Sequence, residues 1–296
     1  MSHPPTQTDI RQLLARAGLR PDRRHGQHFL VDGNLMRLLV AEAELDSTDT
    51  VLEVGPGVGN LTELLVEGAG HVVAVEIDPQ VAAIARERLA AAANLDLLVT
   101  DILANKHTVA PSVLETVRRR RDALGGAVKL VANLPYQAAT PLMAELVQAD
   151  PPPERLVFTV QEEVAARLAA EPGTSEYGPV GVLVQALAEV KVLRRLGPSV
   201  FWPRPQVWSA MVRIRPSAAR RARIADLAVL RRTIEGLFGH RRKRAARSLS
   251  LADPSGASPQ EWAARLRAVG LDPDARGETY SVDEIVRLAN SLTVAR

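Results

Sequence analysis

Residues 50–61 have the sequence TVLEVGPGVGNL, in which an apolar run ends in three closely spaced glycines and a second apolar run begins at once. The valine-rich run predicts a buried strand, and the residues from Leu61 onward predict a helix. Glycine permits a tight turn in which the backbone approaches a ligand, and a helix N-terminus offers free N–H groups. This strand–turn–helix unit therefore predicts an α/β fold with Gly55 and Gly57 in a ligand site.

The spacing of the glycines restricts the class of ligand. A dinucleotide-binding turn follows G-x-G-x-x-G, whereas here the third glycine comes one residue early and Asn60 stands in its place. Pro56 also lacks an N–H group that a pyrophosphate would use. The turn therefore favours a nucleoside without phosphates and argues against a nicotinamide-dependent oxidoreductase.

On either side of this unit, predicted strands alternate with predicted helices, which is typical of a parallel sheet with helices on both faces. The further strands are predicted over residues 72–76, 97–100, 129–132 and 155–160. Two later β-rich runs, 182–196 and 208–215, are separated by a loop too short for a crossover helix, so we expect them to pair antiparallel.

The chain divides into two expected domains. Residues 1–216 form the α/β domain, in which residues 1–24 are expected to be a loosely ordered basic arm, and residues 217–296 form a small all-helical domain. Residues 211–247 contain 12 basic and 2 acidic residues, although the net charge of the whole chain is only +3. Such a concentration of positive charge predicts a polyanion-binding face, and a solvated arginine-rich helix is the alternative.

Several classes of protein are excluded by composition. No apolar run is long enough to cross a membrane, and the first residues lack the apolar core of a secretory signal. The chain has no cysteine, so it has neither a disulfide nor a thiolate nucleophile, and its histidines lack metal-ligand spacing. We therefore expect a cytoplasmic protein without a membrane segment or a metal site.

Two acidic residues follow the next predicted strands. Glu76 ends the strand after the glycine turn, where a carboxylate can accept hydrogen bonds from both hydroxyls of a ribose. Asp78, directly before Pro79, suits the cap of the following helix better. Asp101 follows the third strand, where it can meet an adenine amino group or cap the next helix.

The sequence Asn133-Leu134-Pro135-Tyr136 follows the fourth predicted strand, at the edge of the sheet where ligands bind. The N6 amine of adenine is a poor nucleophile because its lone pair is delocalised into the ring. Two acceptors, the Asn133 side-chain oxygen and the Leu134 carbonyl, can bind its N–H groups and leave the lone pair facing an electrophile. Pro135 stiffens the turn, and Tyr136 offers a face on which an extruded base can stack.

Together with the segments Gly26-Gln27-His28-Phe29-Leu30 and Phe201-Trp202-Pro203-Arg204-Pro205-Gln206-Val207, these motifs resemble the rRNA adenine N6-dimethyltransferase family, most closely its bacterial small-subunit (16S) type. The resemblance runs from about residue 26 to the C-terminus. It implies a Rossmann-like class I S-adenosylmethionine (SAM)-dependent methyltransferase sheet, parallel with an antiparallel terminal hairpin, and a helical RNA-binding domain.

The resemblance also implies roles for single residues. SAM would be held by residues of the first segment and of the strand ends, namely His28, Leu30, Gly55, Glu76, Asp101 and Asn133. The target adenine would lie between Tyr136 and Phe201, with N6 on Asn133 and Leu134. The family's reaction is double methylation of each of two adjacent adenines near the 3′ end of small-subunit rRNA, whose phosphates would meet Arg241, Arg242, Lys243 and Arg244.

This chain departs from the family pattern in two places. His28 stands where the family has asparagine, and Gln137-Ala138-Ala139 stands where it has Asn-Ile-Ser. The connection from Asp101 to Asn133 is also long and contains four consecutive arginines, Arg118–Arg121, for which a solvated helix end is expected. The alternatives to a small-subunit enzyme, expected to be a monomer, are a large-subunit rRNA dimethyltransferase and a non-catalytic RNA binder.

Overall fold

The computed structural model describes residues 5–21, 27–105 and 108–294. The chain forms two compact units, one of residues 1–165 and 191–216 and the other of residues 166–190 and 217–296.

The central sheet has seven strands in the order β4-β3-β2-β7-β8-β11-β9. Their bounds are β2 (Thr50–Val54), β3 (His71–Glu76), β4 (Leu95–Val99), β7 (Val128–Asn133), β8 (Arg155–Gln161), β9 (Ala188–Leu196) and β11 (Ser209–Pro216). The first five strands of that order pair in parallel, and β11 pairs antiparallel with β8. This layout confirms the predicted fold class, a parallel Rossmann-like sheet that ends in an antiparallel strand.

The helices of the first unit connect these strands. They are α1 (Gln7–Arg16), α2 (Gly33–Ala43), α3 (Asn60–Gly68), α4 (Pro79–Arg88), α5 (Pro111–Leu124), α6 (Tyr136–Gln148) and α7 (Glu162–Leu168), which ends beyond the unit. Two short antiparallel pairs join β1 (Phe29–Leu30) to β10 (Phe201–Trp202) and β5 (Leu103–Asn105) to β6 (Thr108–Val109). Asp78 caps α4 by accepting the N–H groups of Gln80 and Val81, as expected.

The prediction of a loosely ordered arm over residues 1–24 is wrong for much of its length, because helix α1 lies within it. Thr6 and Asp9 form a reciprocal capping box at its start. Ile10 and Leu14 are buried in a cluster that also contains Phe29 and Val58. The apolar stripe of α1 thus packs against the core, while residues 1–4 and 22–24 lie outside the described residues.

The strand predicted over residues 182–196 is half wrong. Its first part is helix α8 (Pro179–Leu187), and only β9 is extended. Proline in the first turn favours the helix, and a segment that is buried on nearly all sides loses the periodicity that would distinguish helix from strand. Since α8 packs on helices α10 (Leu227–Gly239) and α13 (Val282–Val294), residues 166–190 belong to the helical unit rather than to the α/β domain where the sequence placed them.

The helical unit also contains α9 (Ala218–Ala222), α10 (Leu227–Gly239), α11 (Ala245–Ala252), α12 (Pro259–Ala268) and α13 (Val282–Val294). Tyr177 is fully buried there, and its hydroxyl donates to the Tyr280 carbonyl at 2.9 Å. Within the described residues, no helix is both long and apolar enough to span a membrane.

Candidate active site

The glycine turn after β2 has a backbone that other residues rarely adopt. Gly55, Gly57 and Gly59 have φ angles of +73°, +58° and +88°. A Cβ atom at Gly57 would lie 2.7 Å from the Phe29 ring, and one at Gly55 would lie 3.1 Å from the Pro135 ring. The turn therefore meets both β1 and the residues that follow β7 at distances that only glycine permits.

Glu76 ties the end of β3 to this turn. Its buried carboxylate accepts the Gly57 N–H at 3.0 Å and the Asp78 N–H at 3.1 Å. Burial raises the pKa of this carboxyl, and the backbone hydrogen bonds oppose that shift. Gly57 and Glu76, both predicted to bind the cofactor, are thus in direct contact.

Asn133, the last residue of β7, is held on both sides of its amide. Its Nδ2 donates to the His28 carbonyl at 2.8 Å, and its Oδ1 accepts the hydroxyl of Thr159 at 2.5 Å. Leu134 is buried, and its N–H donates to the Thr159 carbonyl at 3.2 Å. The amide group is fixed in orientation, and its oxygen keeps a second lone pair for a ligand.

Sequence reasoning missed Thr159. It lies on β8 opposite Asn133 in the parallel register, and its side chain is buried. The available signal was a hydroxyl residue inside the apolar run LVFTV, since a buried hydroxyl requires a hydrogen-bond partner.

The β1–β10 pair brings together three further predicted residues. The His28 ring lies with Nδ1 2.7 Å from the Pro203 carbonyl oxygen, and the His28 carbonyl receives the Asn133 amide. Leu30 pairs with Phe201 in the antiparallel register. Phe201 is only 2% exposed and packs in the hydrophobic core beside Leu30, so little of its ring forms a surface.

The remaining predicted residues have different surroundings. Pro135 immediately precedes α6, which begins at Tyr136, and the Tyr136 side chain lies outside what the structure describes. Asp101 is exposed beyond the end of β4, and its carboxylate accepts the Leu103 N–H at 2.9 Å. The helix-cap role considered for Asp101 is wrong, because β5 and not a helix follows it.

Buried polar groups lie on β2 and α3, on either side of the glycine turn. Glu53 is 1% exposed, and burial raises its pKa to about 8. The Thr62 side chain hydrogen-bonds to the Glu53 carboxyl and opposes that shift, and Asn60 Oδ1 is buried without a hydrogen-bond partner among the described residues. An unpartnered buried oxygen is costly, so Asn60 Oδ1 retains the capacity to accept a hydrogen bond.

The four predicted RNA-binding residues lie in the turn between α10 and α11, not on a helix. Arg241 pairs with Glu278 and donates to the Thr174 carbonyl, and Arg244 pairs with Asp274 at 2.7 Å. Arg242 and Lys243 are exposed, and the structure shows no ion pair for either within the described part of the chain. Half of the predicted cationic cluster is therefore partly neutralised.

Comparisons with known proteins show which family this chain is similar to. The family model described as "Ribosomal RNA adenine dimethylase" matches residues 19–293. A relative from Streptomyces griseus, named "Ribosomal RNA small subunit methyltransferase A", is 40% identical over 288 residues, which are 95% of this chain and 92% of the relative. The chain belongs to the ribosomal RNA adenine dimethylase family. A relative of the same name from Geobacillus thermodenitrificans is 36% identical over 284 residues, 95% of this chain and 94% of that one.

Solved structures agree with the fold of this ribosomal RNA adenine dimethylase. A dimethyladenosine transferase from Plasmodium falciparum has a TM-score of 0.71 at 22% identity, covering 88% of this chain and 96% of its own. The 23S rRNA methyltransferase ErmE has a TM-score of 0.64 at 25% identity, covering 90% and 99%. The chain is a SAM-dependent methyltransferase, and its glycine cradle and buried Glu76 fit that cofactor.

Proposed function

We propose that this ribosomal RNA adenine dimethylase methylates N6 of two adjacent adenines near the 3′ end of 16S rRNA, in the small ribosomal subunit late in its assembly. The observation that carries the proposal is the fixed amide of Asn133 beside the glycine turn. The names of the relatives at 40% and 36% identity support a small-subunit substrate.

The chain's own residues would divide the work as follows. The glycine turn, with Glu76, His28, Leu30 and Asp101, would hold SAM, which supplies an electrophilic methyl group when bound. Asn133 Oδ1 and the Leu134 carbonyl would accept the two N–H bonds of the adenine amine. Because the Asn133 amide is held by His28 and Thr159 before the substrate arrives, little reorganisation of this acceptor is needed when the amine lone pair turns toward the methyl group.

The surroundings of the adenine would come from the two flanking segments. Tyr136, at the start of α6, would stack on the extruded base, and Phe201 would support the opposite wall from the core. Pro135 contacts the glycine turn, since a Cβ at Gly55 would meet it, so it would set the distance between the cofactor and the base.

We further propose that the helical unit binds rRNA phosphates through the α10–α11 turn, that the enzyme acts as a monomer without a metal, and that it works in the cytoplasm. Arg242 and Lys243 support the first of these because they are exposed. Folded rRNA is recognised largely by shape and by phosphate contacts, so such a turn needs no base-specific contact.

The test is methyl transfer from labelled SAM to small and to large ribosomal subunits from cells that lack both modifications. We expect label only in small subunits, as N6-dimethyladenine near the rRNA 3′ end, and Asn133→Ala should abolish transfer while subunit binding remains nearly intact. Label in large-subunit RNA would favour the alternative raised by the likeness to ErmE. Cofactor binding without transfer to either subunit would indicate a non-catalytic binder.

A further inference from the structure

Trp208 is an exposed aromatic side chain at the edge of the sheet that carries the candidate active site. It is 44% exposed and directly precedes β11, and its carbonyl accepts the Glu162 N–H at 2.9 Å. The next residue, Ser209, pairs with Gln161, two positions beyond the residue of β8 that pairs with Asn133. Trp208 therefore lies, like residues 133–136, at the carboxyl ends of the parallel strands. In the strand order it lies on the other side of β8 from the glycine turn.

An arginine is held over this indole in a fixed orientation. The Arg195 guanidinium carbon lies 4.0 Å from the centroid of the Trp208 ring. Glu162 binds the guanidinium through both carboxylate oxygens, at 2.6 Å to Nε and 3.0 Å to Nη2. Exposed ion pairs contribute little to stability, so the stability of the fold does not account for a stack built from two exposed charges and an exposed indole.

The surrounding surface is positively charged. Residues 191–216 contain six basic residues and no acidic one. Lys191 and Arg194 are exposed on the edge strand β9, and Arg204 is exposed in the loop that precedes Trp208. Charged side chains on an edge strand also hinder pairing with other strands, but that role requires no exposed tryptophan beside them.

We propose that Trp208 and Arg195 form a stacking site for a base of single-stranded rRNA next to the target adenine, with Lys191, Arg194 and Arg204 near its phosphates. The proposal rests on the proposed function, because it requires an RNA substrate at this edge. When one base is extruded, its neighbour loses a stacking partner. Aromatic rings and guanidinium planes replace that partner in single-stranded RNA recognition.

The first experiment measures kcat and KM for unmethylated small subunits with Trp208→Ala, Trp208→Phe and Arg195→Ala. We expect Trp208→Ala to raise KM about tenfold while kcat and the Kd for SAM change little, and Trp208→Phe to restore most of the loss. Arg265→Ala is the matched control, since Arg265 also lies over an indole, 4.7 Å from the Trp262 ring centroid. Thermal unfolding of each variant identifies losses that come from misfolding.

The second experiment identifies the occupant by ultraviolet crosslinking of the wild-type enzyme to small subunits and mass spectrometry of the peptide that contains Trp208. A nucleotide near the methylated adenines supports the proposal. An unchanged KM in Trp208→Ala and Arg195→Ala would overturn it, and so would a crosslink to a ribosomal protein. If the wild-type enzyme transfers no methyl group to small subunits, the proposed function fails. An unchanged KM or a crosslink to a ribosomal protein refutes only the stacking site.

Discussion

At the scale of single residues, the hydroxyl of Thr159 fixes the amide of Asn133. Valine has nearly the same shape as threonine, so Thr159→Val removes this hydrogen bond at a buried site without leaving a cavity. One hydrogen bond contributes about 0.5–1.5 kcal/mol, so we expect kcat for methyl transfer to fall about two- to tenfold. A rise in the Kd for SAM would show that the Asn133 amide also holds the cofactor, as the sequence predicts.

Thr159→Ser is the matched control, since it keeps the hydroxyl and loses only a methyl group. It should retain most of the wild-type kcat. Equal losses in Thr159→Ser and Thr159→Val would mean that packing at this position, and not the hydrogen bond to Asn133, determines the rate.

Glu53 predicts a pH dependence of stability. Burial raises its pKa from 4.5 to about 8, so between these values the folded chain keeps a proton that the unfolded chain releases. Unfolding then releases a proton, and rising pH favours the unfolded chain by about 1.4 kcal/mol per pH unit in this window. Glu53→Gln has no such proton. The free energy of unfolding of Glu53→Gln minus that of the wild type should therefore increase from pH 5 to pH 8.

Urea unfolding of both proteins across this range measures the effect, because contributions from groups that do not interact with Glu53 cancel in the difference, whereas the carboxyl of Glu76 interacts with it. A difference that does not vary with pH would show that Glu53 ionises in the folded chain as readily as in the unfolded one.

At the scale of elements, helix α1 supports the glycine turn, because Ile10 and Val58 belong to one buried cluster. Ile10 is fully buried, so Ile10→Ala should lower the free energy of unfolding by about 2–5 kcal/mol. The cavity lies in the cluster that packs on the turn, so the Kd for SAM should rise as well. Urea unfolding and calorimetric SAM binding test both effects, with Gln12→Ala on the exposed face of α1 as the control. Loss of stability with unchanged SAM binding would show that α1 does not support the glycine turn.

What the sequence predicts at this scale depends on whether the signal is local. Gly55, Gly57 and Asn133 were identified because their motifs are contiguous and follow apolar strands. The contact between Asn133 and Thr159 depends on the register of two strands 26 residues apart, which no local pattern specifies. Helix α8 was missed because burial on nearly all sides removes the helical periodicity, and α1 was missed because its arginines obscured an apolar stripe.

At the scale of the whole molecule, the uneven distribution of charge was visible in the sequence, but the ion pairs that offset it were not. Arg241 and Arg244 each pair with an acidic residue about 30 or more positions along the chain. Replacing Arg241 and Arg244 by glutamate would break these ion pairs, so a loss of RNA binding could come from disturbed folding. Arg242 and Lys243 are exposed in the same turn, so they provide the cleaner test of the RNA-binding surface.

We expect the double variant Arg242→Glu/Lys243→Glu to bind small subunits more weakly. The slope of log K for this binding against log salt concentration should decrease in magnitude by about 2, because each lost phosphate contact lowers it by about 1. Arg118→Glu/Arg119→Glu on helix α5 changes the net charge by the same amount at two exposed positions. If binding depends on a local contact at the α10–α11 turn, only the first variant changes the slope. If both variants change it equally, the net charge of the protein governs binding and the turn has no special part in it.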